Sequence, residues 1–333
     1  MSVLPQPRNG VVFYTVANAP YFTGAVALLN SLRRLGHHEP FVLLDAGLTE
    51  AQRGRIRCHV ELLPAPEGVP LLHLAPYAVR MCPAEIQVLL DADVIATHCL
   101  AELFESARSG HFVGFINNQP NDLRFFESWQ HSLKLPPVRR RPYLNSGQFV
   151  FPGAMNDRLV APWIDGLCAL TLEGSGYGRP RLSDPFYFPD QDVVNAVLGA
   201  HLVDDELDIR PHRLAPHPPF FGVRLSTSVG RLCEYDNGEA PYFLHHTMAK
   251  PWLSATRRSV YADLLSKLLL SPDAEVRLDP SQLPRRLRPG ALGTLDRARA
   301  HLQAMAYTHA RRRAGVLGIR TRLEDRRRRR RAP

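Results

Sequence analysis

The residues best suited to chemistry begin where a buried strand ends. Glu85–Leu90 (EIQVLL) is apolar and β-rich, and it runs straight into Asp91-Ala92-Asp93. In extended backbone, residues i and i+2 project to the same side. Two carboxylates placed so repel one another without a cation, and their hard oxygens suit Mn²⁺ or Mg²⁺. Far downstream stands His245-His246-Thr247-Met248-Ala249-Lys250-Pro251-Trp252. A neutral histidine at a strand end can supply a nitrogen ligand, and either His245 or His246 could do so. Lys250 is a compact cation suited to phosphate oxygens. The chain has three lysines against 38 arginines (41 − 3), so a lysine within a motif says more than usual.

Two more clusters offer groups for a sugar. In Tyr143-Leu144-Asn145-Ser146-Gly147, the Asn145 amide and Ser146 hydroxyl can meet sugar hydroxyls, and Gly147 allows close backbone approach. Asp190-Gln191-Asp192 opens a helix, where acidic residues complement the dipole. The functional reading puts Asp190 on sugar hydroxyls and Gln191 near the reacting carbon.

The elements that must hold these residues alternate. Strands are expected at Gly10–Val16, Pro40–Asp45, Cys58–Leu63, Glu85–Leu90, His111–Ile116, Tyr143–Phe151 and Tyr242–His246. Helices are expected at Pro20–Leu35, from a Thr49 cap to Arg57, and at Leu100–Ala107, Asn156–Leu172 and Asp190–Leu198. Asn117–Pro142 and the Gly- and Pro-rich Gly174–Pro189 read as loops, the second as a mobile one. The alternation predicts an α/β fold with a mostly parallel sheet flanked by helices. Ligands then bind beyond the carboxyl ends of the strands. Residues 1–255 form this domain. A helical, proline-rich extension follows over 256–310, with helices at Arg257–Leu270 and Ala291–Arg313. An Arg-rich tail over 311–333 is expected to be disordered.

Composition narrows the function. With 45% hydrophobic and 22% charged residues, a 333-residue chain can bury a sizeable core. The net charge is +9, and residues 311–333 alone carry eleven Arg and two acids, again +9. The remainder is neutral, which argues against a nucleic-acid-binding main domain. The tail instead suggests peripheral contact with an anionic membrane surface. Five scattered cysteines without metal-finger spacing and no secretory leader point to a cytoplasmic protein, peripheral to the membrane if the tail binds there.

The order Asp-x-Asp, Asn-Ser-Gly, Asp-Gln-Asp and His…Lys-Pro-Trp resembles that of glycosyltransferase family 8, over about Val11 to Trp252. The opening VVFYTVANAPYFTGAVALLNSL is similar as well. The resemblance implies a GT-A fold, Mn²⁺, a UDP-sugar donor and transfer of a hexose with retention of configuration. It implies that Asp91, Ala92 and Asp93 serve the metal, ribose and diphosphate. Asn145 and Ser146 would line the donor-sugar site, Asp190 and Gln191 would hold or flank the transferred sugar, and Lys250 would contact the diphosphate. Arg80 would lie near the donor and Asn18 beside the base. Two features depart from the family pattern. The spacing from histidine to Lys250 is short and lacks the usual Gly, although Phe243-Leu244 favours His245 as the ligand. Val16 and Ala17 also stand where relatives often carry an acid. The acceptor, whether glycan, lipid or protein, is not legible. Competing readings are an inactive nucleotide-sugar binder and a sugar-1-phosphate nucleotidyltransferase; the N-terminus lacks the basic, Gly-rich loop of the latter.

Overall fold

The computed structural model describes residues 8–119, 121–170, 182–247, 249–256 and 258–316. In chain order the elements are β1 (Arg8–Ala17), α1 (Phe22–Arg34), β2 (Phe41–Asp45), α2 (Glu50–Ile56), β3 (Glu61–Pro64), α3 (Ala75–Met81) and β4 (Ala84–Leu90). Next come β5 (Val94–Ala96), α4 (Ala101–Arg108), β6 (Phe112–Ile116), α5 (Ser128–Ser132), β7 (Leu144–Pro152), α6 (Asn156–Ala169) and α7 (Pro189–His201). The rest are β8 (Leu207–Arg210), β9 (Val223–Leu225), β10 (Cys233–Tyr235), β11 (Phe243–His245), α8 (Val260–Leu270) and α9 (Ala291–Val316).

The central strands are apolar at successive positions because both faces of the sheet are covered. Val11 and Phe13 of β1 face one core with Ala25, Leu28 and Leu32 of α1, Phe104 of α4 and Leu265 of α8. Val12 and Tyr14 face the other, with Val79 of α3, Ile164 of α6 and Val197 of α7. The seven strands run in the order β3-β2-β1-β4-β7-β6-β8. All share one direction except β7, which is antiparallel to both β4 and β6. The reversal brings the first residues of β7 to the carboxyl end of β4, with Gln148 opposite Leu90. The Asp91 N–H then donates to the Gly147 carbonyl at 2.8 Å.

The late strand read at Tyr242–His246 forms a separate antiparallel pair with β5, a three-residue strand that the sequence pattern did not reveal. His245 is registered against Val94, one residue past Asp93. The segment after residue 255 also packs inward. The Asn30 amide donates to the Leu268 and Val276 carbonyls at 2.9 Å each and accepts from the Val276 N–H at 2.9 Å. α9 continues to Val316, beyond the expected end at Arg313. The rest of the Arg-rich tail, 317–333, and residues 174–181 of the expected mobile loop lie outside the described residues. Among the described residues no helix is long and apolar enough to cross a membrane.

Candidate active site

Three elements converge at the carboxyl end of β4. The Asp91–Asp93 turn follows β4 directly, His245 ends β11, and Asn145, Ser146 and Gly147 open β7. His245 Nε2 lies 3.5 Å from Asp91 Oδ2 and 3.1 Å from Asp93 Oδ1. Ligand atoms of Asp91, Asp93 and His245 all fall within 4.8 Å of one another. Successive residues of a strand face opposite sides, and the two histidines part accordingly. His246 packs its ring 4.9 Å from Tyr261 and 5.9 Å from Phe220, and it is not in the cluster.

Hydrogen bonding orients the His245 ring. Asn145 Oδ1 accepts from the Gly147 N–H at 2.9 Å, which identifies it as the amide oxygen. It also lies 2.9 Å from His245 Nδ1, so Nδ1 must carry the proton. In the neutral ring, Nε2 then presents its lone pair to two carboxylates. Asp93 Oδ1 is buried and has no hydrogen-bond partner among the described residues. A bare nitrogen facing an orphaned carboxylate oxygen is unfavourable until a proton or a metal cation lies between them, and a second partner on the far ring nitrogen is the usual way to orient a histidine ligand. The residues therefore fit a divalent cation. Gly147 keeps the space open: a Cβ there would stand 2.2 Å from His245 Cε1 and 2.8 Å from Asp91 Oδ2. Gly147→Ala is expected to weaken Mn²⁺ binding by about 10- to 100-fold. Titration of the free-Mn²⁺ spin signal measures this, and unchanged affinity would refute the proposed fit.

The two carboxyls are unequal. Burial and the neighbouring Asp93 charge raise Asp91 to about 7. Burial pushes Asp93 the same way, but Lys250, together with His245 whenever its Nε2 also carries a proton, outweighs it and holds Asp93 well below the usual carboxylate range. The Lys250 ammonium donates to Asp93 Oδ2 and to the His246 carbonyl. Lys250 is thus engaged with the acidic turn in this state.

The Asp-Gln-Asp segment forms the first turn of α7 against β7. Gln191 Oε1 accepts from Asn145 Nδ2 at 3.0 Å and from the Ser146 N–H at 3.1 Å. The Ser146 hydroxyl donates to Asp190 Oδ2 at 2.9 Å, while burial raises the Asp190 carboxyl. Asp192 points inward to Arg124, and nothing in the sequence pattern marks Arg124 as its partner. Asn18 caps the short turn before α1, with its Oδ1 3.3 Å from the Tyr21 N–H. Arg80 is exposed on α3. Among the described residues no hydrogen bond or ion pair ties Asn18 or Arg80 to the acidic turn. Tyr261, not singled out by the motifs, donates its hydroxyl to the Asp93 carbonyl at 2.9 Å.

His217 stands edge-on to His245 at 5.1 Å and is buried, with Nε2 unpartnered among the described residues. Burial lowers His217 to about 2, against an unfolded value of about 6.5. The unfolded chain therefore binds the extra proton between these values, and the stability due to neutral His217 is lost as pH falls below about 6.5. His217→Leu removes this penalty. Between pH 7.5 and 5 the variant should gain about 2 kcal/mol on the wild type, measured by urea denaturation. A constant difference would contradict the assignment.

Comparison with solved structures finds several that are similar to this chain. The apo structure of the bifunctional glycosyltransferase WbbM is similar over 80% of this chain and 50% of its own, at 14% identity and a TM-score of 0.50. This chain thus spans half of that protein's length. The galactosyltransferase LgtC, solved with donor and acceptor sugar analogues, is 15% identical over 79% of this chain and 98% of its own, with a TM-score of 0.47. Core-mannan synthase A (CmsA/Ktr4) of Aspergillus fumigatus, in a Mn/GDP form, is 9% identical over 61% and 73%, with a TM-score of 0.41. No protein-family model and no curated protein matches the sequence. The fold is the GT-A α/β fold found in glycosyltransferases, and in this chain it carries an Asp-Asp-His cluster fit for a metal.

Proposed function

We propose that this chain is a divalent-metal-dependent hexosyltransferase that takes UDP-glucose or UDP-galactose and transfers the hexose to an acceptor hydroxyl with retention. The observation that carries the reading is the meeting of Asp91, Asp93 and His245 beside Asn145 at the strand ends. Mn²⁺ suits a mixed set of carboxylate oxygens and imidazole nitrogen, and when bound it supplies positive charge to the departing diphosphate.

The protein's own groups do the remaining work. Asp91, Asp93 and His245 hold the ion. Lys250 exchanges its bond to Asp93 for the diphosphate and stabilises the charge that develops there. Asn145, Ser146 and Asp190 hold sugar hydroxyls, and Asn18 and Arg80 serve the base and the donor. Gln191 is a carboxamide whose oxygen already accepts two N–H groups, so it is a poor covalent nucleophile. Retention then follows from attack on the same face as departure, with the acceptor proton passing to the leaving diphosphate. A thermal-shift screen with Mn²⁺ should show UDP-sugars raising the melting temperature, by about 2.7 kcal/mol of stability at 100 times Kd. Release of UDP should accompany it. Stabilisation without turnover would favour a binding protein, and neither effect with any UDP-sugar would reject the reading. A trapped sugar ester on an enzyme side chain would overturn the same-face route.

A further inference from the structure

A cavity of about 1080 Å³ lies between the end of α1, the β9–β10 turn, α8 and the start of α9, and no residue of the candidate active site lines it. Its size is at the upper end for small-molecule sites, which run to about 1,000 Å³. The wall has two chemistries. The half-buried Leu35, Leu225 and Leu232 give it an apolar side, backed by the core residues Leu264 and Leu287. Arg33, Arg34, Arg231, Lys267 and Arg297 give it five cations against Asp273 and Glu275.

These charges are not equally committed. Arg33 is spent on the His37 and Glu39 carbonyls, Arg297 on the Arg286 and Arg288 carbonyls, and Arg231 on the Gly238 carbonyl. Glu275 is turned to His59 at 3.0 Å. Arg34 reaches Asp273 only at 3.9 Å, with its side chain 57% exposed. Lys267, one of three lysines in the chain, has no ion pair among the described residues. Two cations thus stand available beside leucine side chains, and the hydroxyls of Thr227 and Ser228 lie on the same wall.

We propose that this cavity binds an anionic amphiphile, a hydrocarbon chain with a phosphate head group, separately from the nucleotide-sugar site. The head group takes Arg34 and Lys267 as charge-assisted partners, and the chain covers the leucine side. A neutral amphiphile satisfies only the leucines, and a free phosphate only the cations. The inference does not depend on the transferase reading.

Calorimetric titration of the full chain with octyl phosphate, below its micelle concentration, tests it. Octyl glucoside and inorganic phosphate serve as the separate halves. Octyl phosphate should bind at least tenfold tighter than either. Lys267→Glu, and Val229→Glu beside Thr227 and Ser228 on the cavity wall, should each weaken it at least tenfold while leaving the melting temperature of the free protein intact. Both sites are exposed, Val229 at 101%, so neither change disturbs packing. Equal binding of octyl glucoside or phosphate, equal binding by both variants, or displacement of octyl phosphate by UDP would each overturn the proposal. Phosphatidic acid vesicles identify the source of the head group: their capture by wild type and not by Lys267→Glu assigns it to a bilayer lipid, and binding of the monomer alone to a free amphiphile.

Discussion

Asp91→Asn and Asp93→Asn should each lower the proposed sugar transfer on the order of 10³-fold, yet shift the stability of the metal-free protein in opposite directions. Asp93 is buried and carries the charge that compensates Lys250, whose side chain is 10% exposed. Removing that charge leaves a buried ammonium unpaired, which costs about 3–5 kcal/mol. Asp91 is different. Its side chain is 48% exposed, and its ionised form is raised in energy by burial of the turn and by Asp93. At pH 8 the carboxylate is ionised beside a like charge, so the asparagine variant should melt at or above the wild-type temperature. Thermal melts without metal at pH 8 measure the contrast. Added Mn²⁺ should stabilise the wild type and neither variant. If both variants fall together, or if Mn²⁺ still stabilises either, the division of labour in the acidic turn is wrong.

Arg124→Ala should be the most damaging single change outside the metal cluster. Its guanidinium holds the fully buried Asp192 carboxylate through Nε at 2.6 Å and Nη2 at 2.9 Å. The Tyr143 hydroxyl at 2.7 Å and the Phe188 N–H at 2.8 Å complete four donors. Even so, desolvation outweighs these partners and raises Asp192 to about 6. Without Arg124 the buried charge is uncompensated, and the loss should be about 3–5 kcal/mol at pH 8. It should shrink at pH 5, where Asp192 can take a proton instead. The double variant Arg124→Met/Asp192→Leu should recover part of the loss, because no buried charge is left unpaired, although the Tyr143 hydroxyl and the Phe188 N–H lose their acceptor. Urea denaturation of the three variants at both pH values checks this. A loss below about 1 kcal/mol for Arg124→Ala would mean that the pair does not pin the first turn of α7.

That pair shows where sequence reading stops. Asp190, Gln191 and Asp192 read as one acidic helix start, and Asp190 and Gln191 do face Ser146 and Asn145 across the β7–α7 contact. Asp192 belongs to a structural lock. Its partner lies 68 residues away in a stretch with no periodicity, and no local signal could have joined them. The adjacent histidines pose the same problem on a smaller scale. Alternation along a strand says that they part and the family resemblance favours His245, but it is the pairing of β11 with β5 that carries His245 to the carboxylates. The cavity at the end of α1 was not legible at all, because its wall comes from four segments that carry no common motif.

By itself the sequence determined the alternation of strands and helices, the position of Asp91 and Asp93 at a strand end, and the neutrality of the chain before its Arg-rich tail. These are local properties, set by side-chain periodicity and by counting. The tertiary structure decided the reversal of β7, the meeting of His245 with both carboxylates, the proton on its Nδ1, and the engagement of Lys250 with Asp93. Each depends on groups remote in the chain that meet only when both faces of the sheet are buried, and burial is what gives an unpaired charge or a bare ring nitrogen its cost.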